Sequence, residues 1–159
     1  MTTDYAVMRS PVGRLLIETN GRAVTRIALT EREARETSDP VICACVSQLQ
    51  AYFAGELTTF SVPVEPEGTA FQGKVWQALQ SIPYGKTASY AEVAARIGNP
   101  KASRAVGQAN HVNPLLIVIP CHRVICSDGS IGGYGGGLAV KQYLLALEKR
   151  RMTDKTHDV

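Results

Sequence analysis

"SYAEVAARIGNPKASRAVGQANHVNPLLIVIPCHRV", residues 89–124, decides the architecture of the second half of this chain. Ser89 is followed three residues later by Glu92, a capping box that starts a helix over "YAEVAARIG". Gly98-Asn99-Pro100 forms a turn. "KASRAVGQANHV" (101–112) is a second short helix, ended at Asn113-Pro114. Two short helices around a glycine-containing turn make a helix-turn-helix pattern. The second helix carries Lys101, Arg104, Gln108 and His111, but its other side chains are small: Ala102, Ser103, Ala105, Gly107 and Ala109. A helix that reads bases in the major groove presents several long polar side chains. Small residues let a helix lie in a narrow groove, or pack closely on a neighbouring helix; both readings stand at this point. "LLIVIP" (115–120) is a continuous apolar run and reads as a buried strand or extended segment. Cys121 therefore emerges at the end of a buried element.

Upstream, residues 5–29 read as strands, with turns at Ser10-Pro11, Gly13 and Asn20-Gly21. Asn-Gly between "LLIET" and "RAVTRIAL" is a strong hairpin signal. A polar loop ends at Pro40, and a helix over 41–53 follows, with Val41, Cys45, Leu49 and Phe53 as its stripe. "TTFSVPVEPEGT" is a linker rich in proline. Helix resumes over 70–81 with Phe71, Val75, Leu79 and Ile82 on one face. Downstream, "GGYGGG" is a loop and "LAVKQYLLALEKR" a final amphipathic helix. The expected organisation is an N-terminal α/β domain with linker over 1–65, a C-terminal domain over 66–150, and a frayed polar tail over 151–159.

Composition narrows the function classes. Of the 159 residues 45% are hydrophobic, which suffices for a core, and the net charge is only +3. No apolar run approaches the ~18 residues of a membrane helix. "MTTDYAVMRS" lacks the apolar stretch of a secretion signal, so the expected setting is the reducing cytoplasm. The four cysteines are Cys43, Cys45, Cys121 and Cys126. Their spacings C-x-C and C-x4-C, without a histidine pair, do not match a zinc site, and no metal is expected. Cys43 and Cys45 read as structural residues of the first helix. Lys86, Arg96, Lys101, Arg104, Arg123 and Lys141 fall in the second half and read, on charge alone, as a solvated face.

The thiol of Cys121 invites chemistry. An adjacent histidine cannot easily bond the neighbouring sulfur directly. His122 can reach it through water if a carboxylate holds the ring, and Glu148 on the last helix is available. A Cys–His–Glu relay would lower the thiol pKa and create a thiolate nucleophile. A protease-like arrangement would need a distant histidine, and only His111 and His157 remain.

The stretch from "FQGKVWQALQSIPYGKTASYAEV" through "IPCHRV", followed by "GGYGGGLAVKQYLLALE", resembles the O6-alkylguanine-DNA alkyltransferases, also called methylated-DNA–protein-cysteine methyltransferases. The likeness keeps order and spacing across about half the chain, and the first half fits more loosely. It implies an α/β protein whose small strand-rich N-terminal domain precedes a mostly helical domain with a winged helix-turn-helix-like DNA-binding motif. It implies direct-reversal repair: one stoichiometric transfer of an alkyl group from O6-alkylguanine, and from O4-alkylthymine, to Cys121, without a cofactor. The implied partner is double-stranded DNA, bound through the minor groove with the damaged base flipped out, by a monomer that can act cooperatively.

The resemblance also implies roles. His122 deprotonates Cys121 through water and Glu148 orients the ring. Tyr90 helps rotate the nucleotide and donates to the guanine ring. Arg104 enters the duplex where the base has left, with Ala102 and Ser103 beside it on the DNA-binding helix. Asn113 ties that helix to the active-site turn. Tyr134 and the neighbouring glycines line the guanine pocket, and the carbonyls of Cys121 and Val124 accept from the guanine amino group. Gly135 stands where some members carry a serine that donates to O6, so only its backbone N–H could serve.

Three other readings compete. A non-catalytic lesion sensor of related sequence replaces the cysteine, which Cys121 argues against. A winged-helix regulator would need more base-reading side chains on 101–112. A cysteine hydrolase would need an acyl substrate and a deacylating water.

Overall fold

The computed structural model describes residues 3–134 and 137–157, the segment 153–157 as backbone only. The chain divides between Glu67 and Gly68 into two compact units.

The first unit is built on an antiparallel sheet in the order β1 (Asp4–Ser10), β2 (Gly13–Thr19), β3 (Val24–Leu29). Ala6, Val7 and Met8 are buried in succession, as are Leu15, Leu16 and Ile17, so both faces of the sheet centre are covered. The β2–β3 connection is longer than the two-residue hairpin that Asn20-Gly21 predicts. The Asn20 side chain accepts from the N–H groups of Arg22 and Ala23 at 2.9 and 3.0 Å, Gly21 takes φ +95°, and pairing resumes only at Thr19 opposite Val24. The asparagine side chain thus closes a four-residue turn. Helix α1 (Pro40–Phe53) opens with Asp39 accepting from Ile42 N–H and proline in its first turn. Its buried stripe is Ile42, Cys45, Leu49 and Tyr52. A strict four-residue repeat drifts around a 3.6-residue helix, and Val41 and Phe53 lie off the core face. Cys45 is fully buried, and burial pushes its thiol up to about 12.

The second unit begins with α2 (Ala70–Gln80), closed at its start by a Thr69–Gln72 capping box. Val75, Trp76 and Leu79 face inward, and Trp76 Nε1 donates to the Ala109 carbonyl at 2.9 Å. β4 (Ala88–Ser89) leads into α3 (Tyr90–Arg96), whose Ser89–Glu92 box is formed as the sequence predicts. α4 (Ser103–His111) follows, with Ala102 at its cap position. A 3-10 turn (Cys121–Arg123), β5 (Val124–Ile125) and α5 (Leu138–His157) complete the unit.

Two further expectations are corrected. Residues 115–119 form a buried turn, not a strand. Asn113 accepts from Leu115 N–H at 2.9 Å and donates to the Ile119 carbonyl at 2.8 Å, and Ile119 N–H returns to Leu115 O at 3.0 Å. Ile117 sits at φ +74°, a conformation a β-branched residue adopts only under constraint. α5 also continues past residue 150 to His157. The segment "RMTDKTH" holds no glycine or proline to stop it. Among the described residues no helix is long and apolar enough to cross a membrane.

Candidate active site

The turn at 113–120 delivers Cys121 to the interior, where it is 1% exposed. Asn113, itself buried, organises that turn, and its side chain also bears on the thiol. A further link from α4 to the active-site turn comes from Asn110, which sequence reasoning passed over. Its Nδ2 donates to the Cys121 carbonyl at 3.4 Å, and its Oδ1 is buried with no partner among the described residues.

Parallel pairing of β4 with β5 sets Ala88 opposite Val124 and Ser89 opposite Ile125. This places the first residue of α3, Tyr90, beside the chain just beyond Cys121. A Cβ added at Gly132 (φ +72°) would meet Tyr90 Oη at 3.1 Å and Cys126 Sγ at 3.4 Å. Glycine is therefore required there on two counts. Gly107 of α4 faces the Tyr90 ring, where an added Cβ would lie 3.8 Å away. A methyl group there would make an ordinary van der Waals contact with the ring. Tyr134 is buried, and its hydroxyl, near the thiol, makes no geometrically formed hydrogen bond among the described residues. Its own acidity is suppressed by burial and by that thiol. Gly135 lies outside the described residues.

His122 is fully buried, and its Nε2 lies 2.6 Å from Glu148 Oε2. Its Nδ1 has no partner among the described residues. Glu148 is gripped further. Arg123 donates from Nε to Oε1 at 2.8 Å and from Nη2 to Oε2 at 3.1 Å, and Gly85 N–H donates to Oε1 at 3.1 Å. The remaining Arg123 amine donates to the Ile82 carbonyl at 2.7 Å. Burial alone would raise the Glu148 pKa; the hydrogen bonds and charges of His122 and Arg123 outweigh it and hold the carboxyl at about 2. Burial, with Arg123 and Lys141, pulls His122 below its ordinary value. At neutral pH the pair is thus a carboxylate and a neutral imidazole that donates from Nε2.

Burial opposes the expected depression of the thiol pKa and pushes Cys121 up to about 11, against smaller opposing effects of Asn113, Tyr134 and Lys141. On that balance the sulfur rests as a thiol. Arg123 and Lys141 also leave the solvated face to which their charge assigned them. Both are buried, and Lys141 Nζ donates to the carbonyls of Val124 at 2.6 Å and Gly133 at 3.1 Å. Each finds acceptors inside that only the tertiary fold supplies. Arg104 is exposed on α4 together with Gln108 and His111, while Ala102 and Ser103 are half-buried at its start. Cations outnumber acidic residues eleven to five in 68–159, whereas 1–67 holds six against nine. The positive excess therefore belongs to the unit that contains the cysteine.

Comparison with known proteins places the chain in a family. The profile of the 6-O-methylguanine DNA methyltransferase DNA binding domain matches residues 70–150, and that of the ribonuclease-like domain of the same family matches residues 4–66. The methylated-DNA–protein-cysteine methyltransferase of Mycobacterium tuberculosis strain H37Rv is 48% identical over 153 residues, covering 92% of this chain and 93% of that one. The enzyme of the same name from Methanosarcina acetivorans is 46% identical over 151 residues, covering 91% and 97%. A crystal structure of Mycobacterium tuberculosis OGT in complex with DNA superposes with a TM-score of 0.85 at 49% identity, covering 92% of this chain and 93% of that one. Matched in both halves and along nearly its whole length, the chain belongs to the 6-O-methylguanine DNA methyltransferase family.

Proposed function

We propose that this protein repairs DNA directly, by moving the alkyl group of O6-alkylguanine onto Cys121 in a single turnover. One observation carries the reading: a buried thiol is followed by a buried histidine whose Nδ1 is unpartnered and whose Nε2 is fixed on an ionised carboxylate. Such an imidazole is a base with one lone pair to use. The thiol proton passes to His122 Nδ1 through a bridging water. Sulfur attacks the alkyl carbon, the carbon–O6 bond breaks, and its electron pair returns to the guanine. Guanine N1 takes up one proton from water and the His122 imidazolium returns the thiol proton to water, while Tyr90 donates a hydrogen bond to the ring. The products are guanine and a neutral thioether, and no group in the site can cleave that bond. Thiol and lesion supply every atom, so the transfer needs no cofactor.

The target carbon lies within the base stack, so the nucleotide must be extruded. In this reading α4 meets the minor groove, with Ala102 and Ser103 at the backbone. Arg104 enters the duplex and compensates the lost stacking. Asn113 holds the active-site turn, while Tyr134 lines the base pocket. The carbonyls of Cys121 and Val124 accept from the guanine amino group, and Lys141 fixes the Val124 carbonyl. O4-alkylthymine presents the same reacting carbon and is the second substrate. One monomer completes one repair.

The test is incubation with a duplex carrying isotopically labelled O6-methylguanine, followed by peptide mass spectrometry. Cys121 gains one methyl, while Cys43, Cys45 and Cys126 gain none. Cys121→Ser binds the same duplex and transfers nothing; a methyl on any other residue overturns the assignment.

A further inference from the structure

The buried guanidinium of Arg123 has no part in the transfer just described, yet each of its three nitrogens donates a hydrogen bond. It spans both oxygens of Glu148 and anchors on the Ile82 carbonyl. Glu148 Oε2 is shared between Arg123 Nη2 and His122 Nε2.

Building on the proposed transfer, we propose that Arg123 is a positioning residue that balances the charge of Glu148 and so keeps His122 a neutral imidazole with Nδ1 open. The reasoning is electrostatic. A buried carboxylate demands a compensating positive charge. Both side chains that grip its oxygens can supply it: the guanidinium, always charged, or the imidazole, by taking up a proton. With Arg123 in place the first suffices, and His122 need only donate its one N–H to Oε2. Without Arg123 the uncompensated carboxylate would draw a second proton onto the imidazole. That proton would occupy Nδ1, the atom that must receive the thiol hydrogen. The charged groups facing His122 are Glu148 and Lys141 from α5 and Arg123 from its own turn. Tyr84, from the loop after α2, faces Glu148, Arg123 and Arg151 of α5. α2 packs on the same turn and carries one ionisable residue, Lys74, which is exposed. Lys141 is committed to two backbone carbonyls, whereas Arg123 contacts the carboxylate through two nitrogens.

The experiment compares single-turnover methyl transfer by wild type, Arg123→Gln, Arg123→Lys and Arg123→Gln/Glu148→Gln from pH 6 to 9.5. Arg123→Gln is expected to be slower at pH 7 by ~10-fold for each unit by which its imidazole pKa rises above 7, with the deficit closing as pH climbs past that value. Arg123→Lys keeps the charge, and the double variant removes the need for it, so in both the ratio to wild type is flat with pH. A purely structural role gives a flat deficit in Arg123→Gln as well, and that result overturns the proposal. Should Arg123→Gln not fold, 15N NMR of the wild-type imidazole decides. Neutral His122 with its proton on Nε2 from pH 6 to 8 supports the proposal, and an imidazolium there sinks it. Failure of wild type to methylate Cys121 would instead refute the proposed transfer, so the two failures are distinct.

Discussion

The resting state of Cys121 can be read by giving the same sulfur two different electrophiles. Burial raises its pKa from 9.0 to about 11. Relative to an ordinary cysteine near ~8.5, that leaves a thiolate population at pH 7 lower by ~300-fold. A more basic thiolate is a better nucleophile, and a Brønsted slope near ~0.45 returns about tenfold of this. Iodoacetamide should therefore alkylate Cys121 at least ~30-fold more slowly than it alkylates free cysteine at pH 7, before any hindrance from burial. Its rate should climb by about one logarithmic unit per pH unit up to about pH 10. Methyl transfer from O6-methylguanine in duplex DNA should behave differently. There His122 takes the proton as the lesion is engaged, so the rate should be nearly flat from pH 7 to 9. The assay is timed quenching, digestion and mass spectrometry of the peptide that holds Cys121, which separates it from the exposed Cys43. An iodoacetamide rate at pH 7 equal to that of free cysteine, or a plateau below pH 8, would refute the reasoning. The sulfur would then be a thiolate at rest, as a simple Cys–His–Glu relay predicts.

Two further outcomes follow from the same geometry. Arg104→Ala should slow repair of duplex DNA by ~10-fold or more, because a few kcal/mol of lost stacking go uncompensated. Reaction with a free O6-alkylguanine base should be unchanged, and equal losses on both substrates would reassign Arg104 to the pocket or the fold. Alkylated protein should melt below unmodified protein, with a larger drop for benzyl than for methyl. Overpacking a buried site costs ~1–3 kcal/mol, and ~1 kcal/mol is worth roughly 2–4 °C at this size. The neutral resting thiol adds no lost charge interaction to that sum, so an unchanged melting temperature after benzylation would show that the pocket has room to spare.

Local signals in the sequence were strong where one short segment decides its own structure. Ser89 and Glu92 form the capping box expected of them, because both partners of each bond lie within one helical turn. The hairpin ladder over β1–β3 follows from alternating turn and apolar signals. The apolar run before Cys121 misled because a strand and a tight buried turn have the same hydrophobicity. The difference lies in Asn113, whose side chain supplies the hydrogen bonds that a neighbouring strand would otherwise provide. Sequence reasoning also placed His122 and Glu148 together across 26 residues, and they lie in contact.

What the sequence concealed is charge in the interior. Arginine and lysine are almost never fully buried without partners, so the first reading of Arg123 and Lys141 as surface residues follows general experience. The partners that reverse it are the Ile82, Val124 and Gly133 carbonyls and the Glu148 side chain. None is recognisable as an acceptor until α5 has packed on the Cys121 turn. The same burial pushes the thiol pKa up and that of the histidine down, against the ready thiolate that the residues alone suggest. A buried thiol with a neutral base beside it is poorly reactive toward stray electrophiles. In the proposed transfer it becomes reactive when a flipped base brings an alkyl carbon to the sulfur and the proton can move to Nδ1. For a protein consumed by each reaction, that restraint conserves the molecule for its lesion.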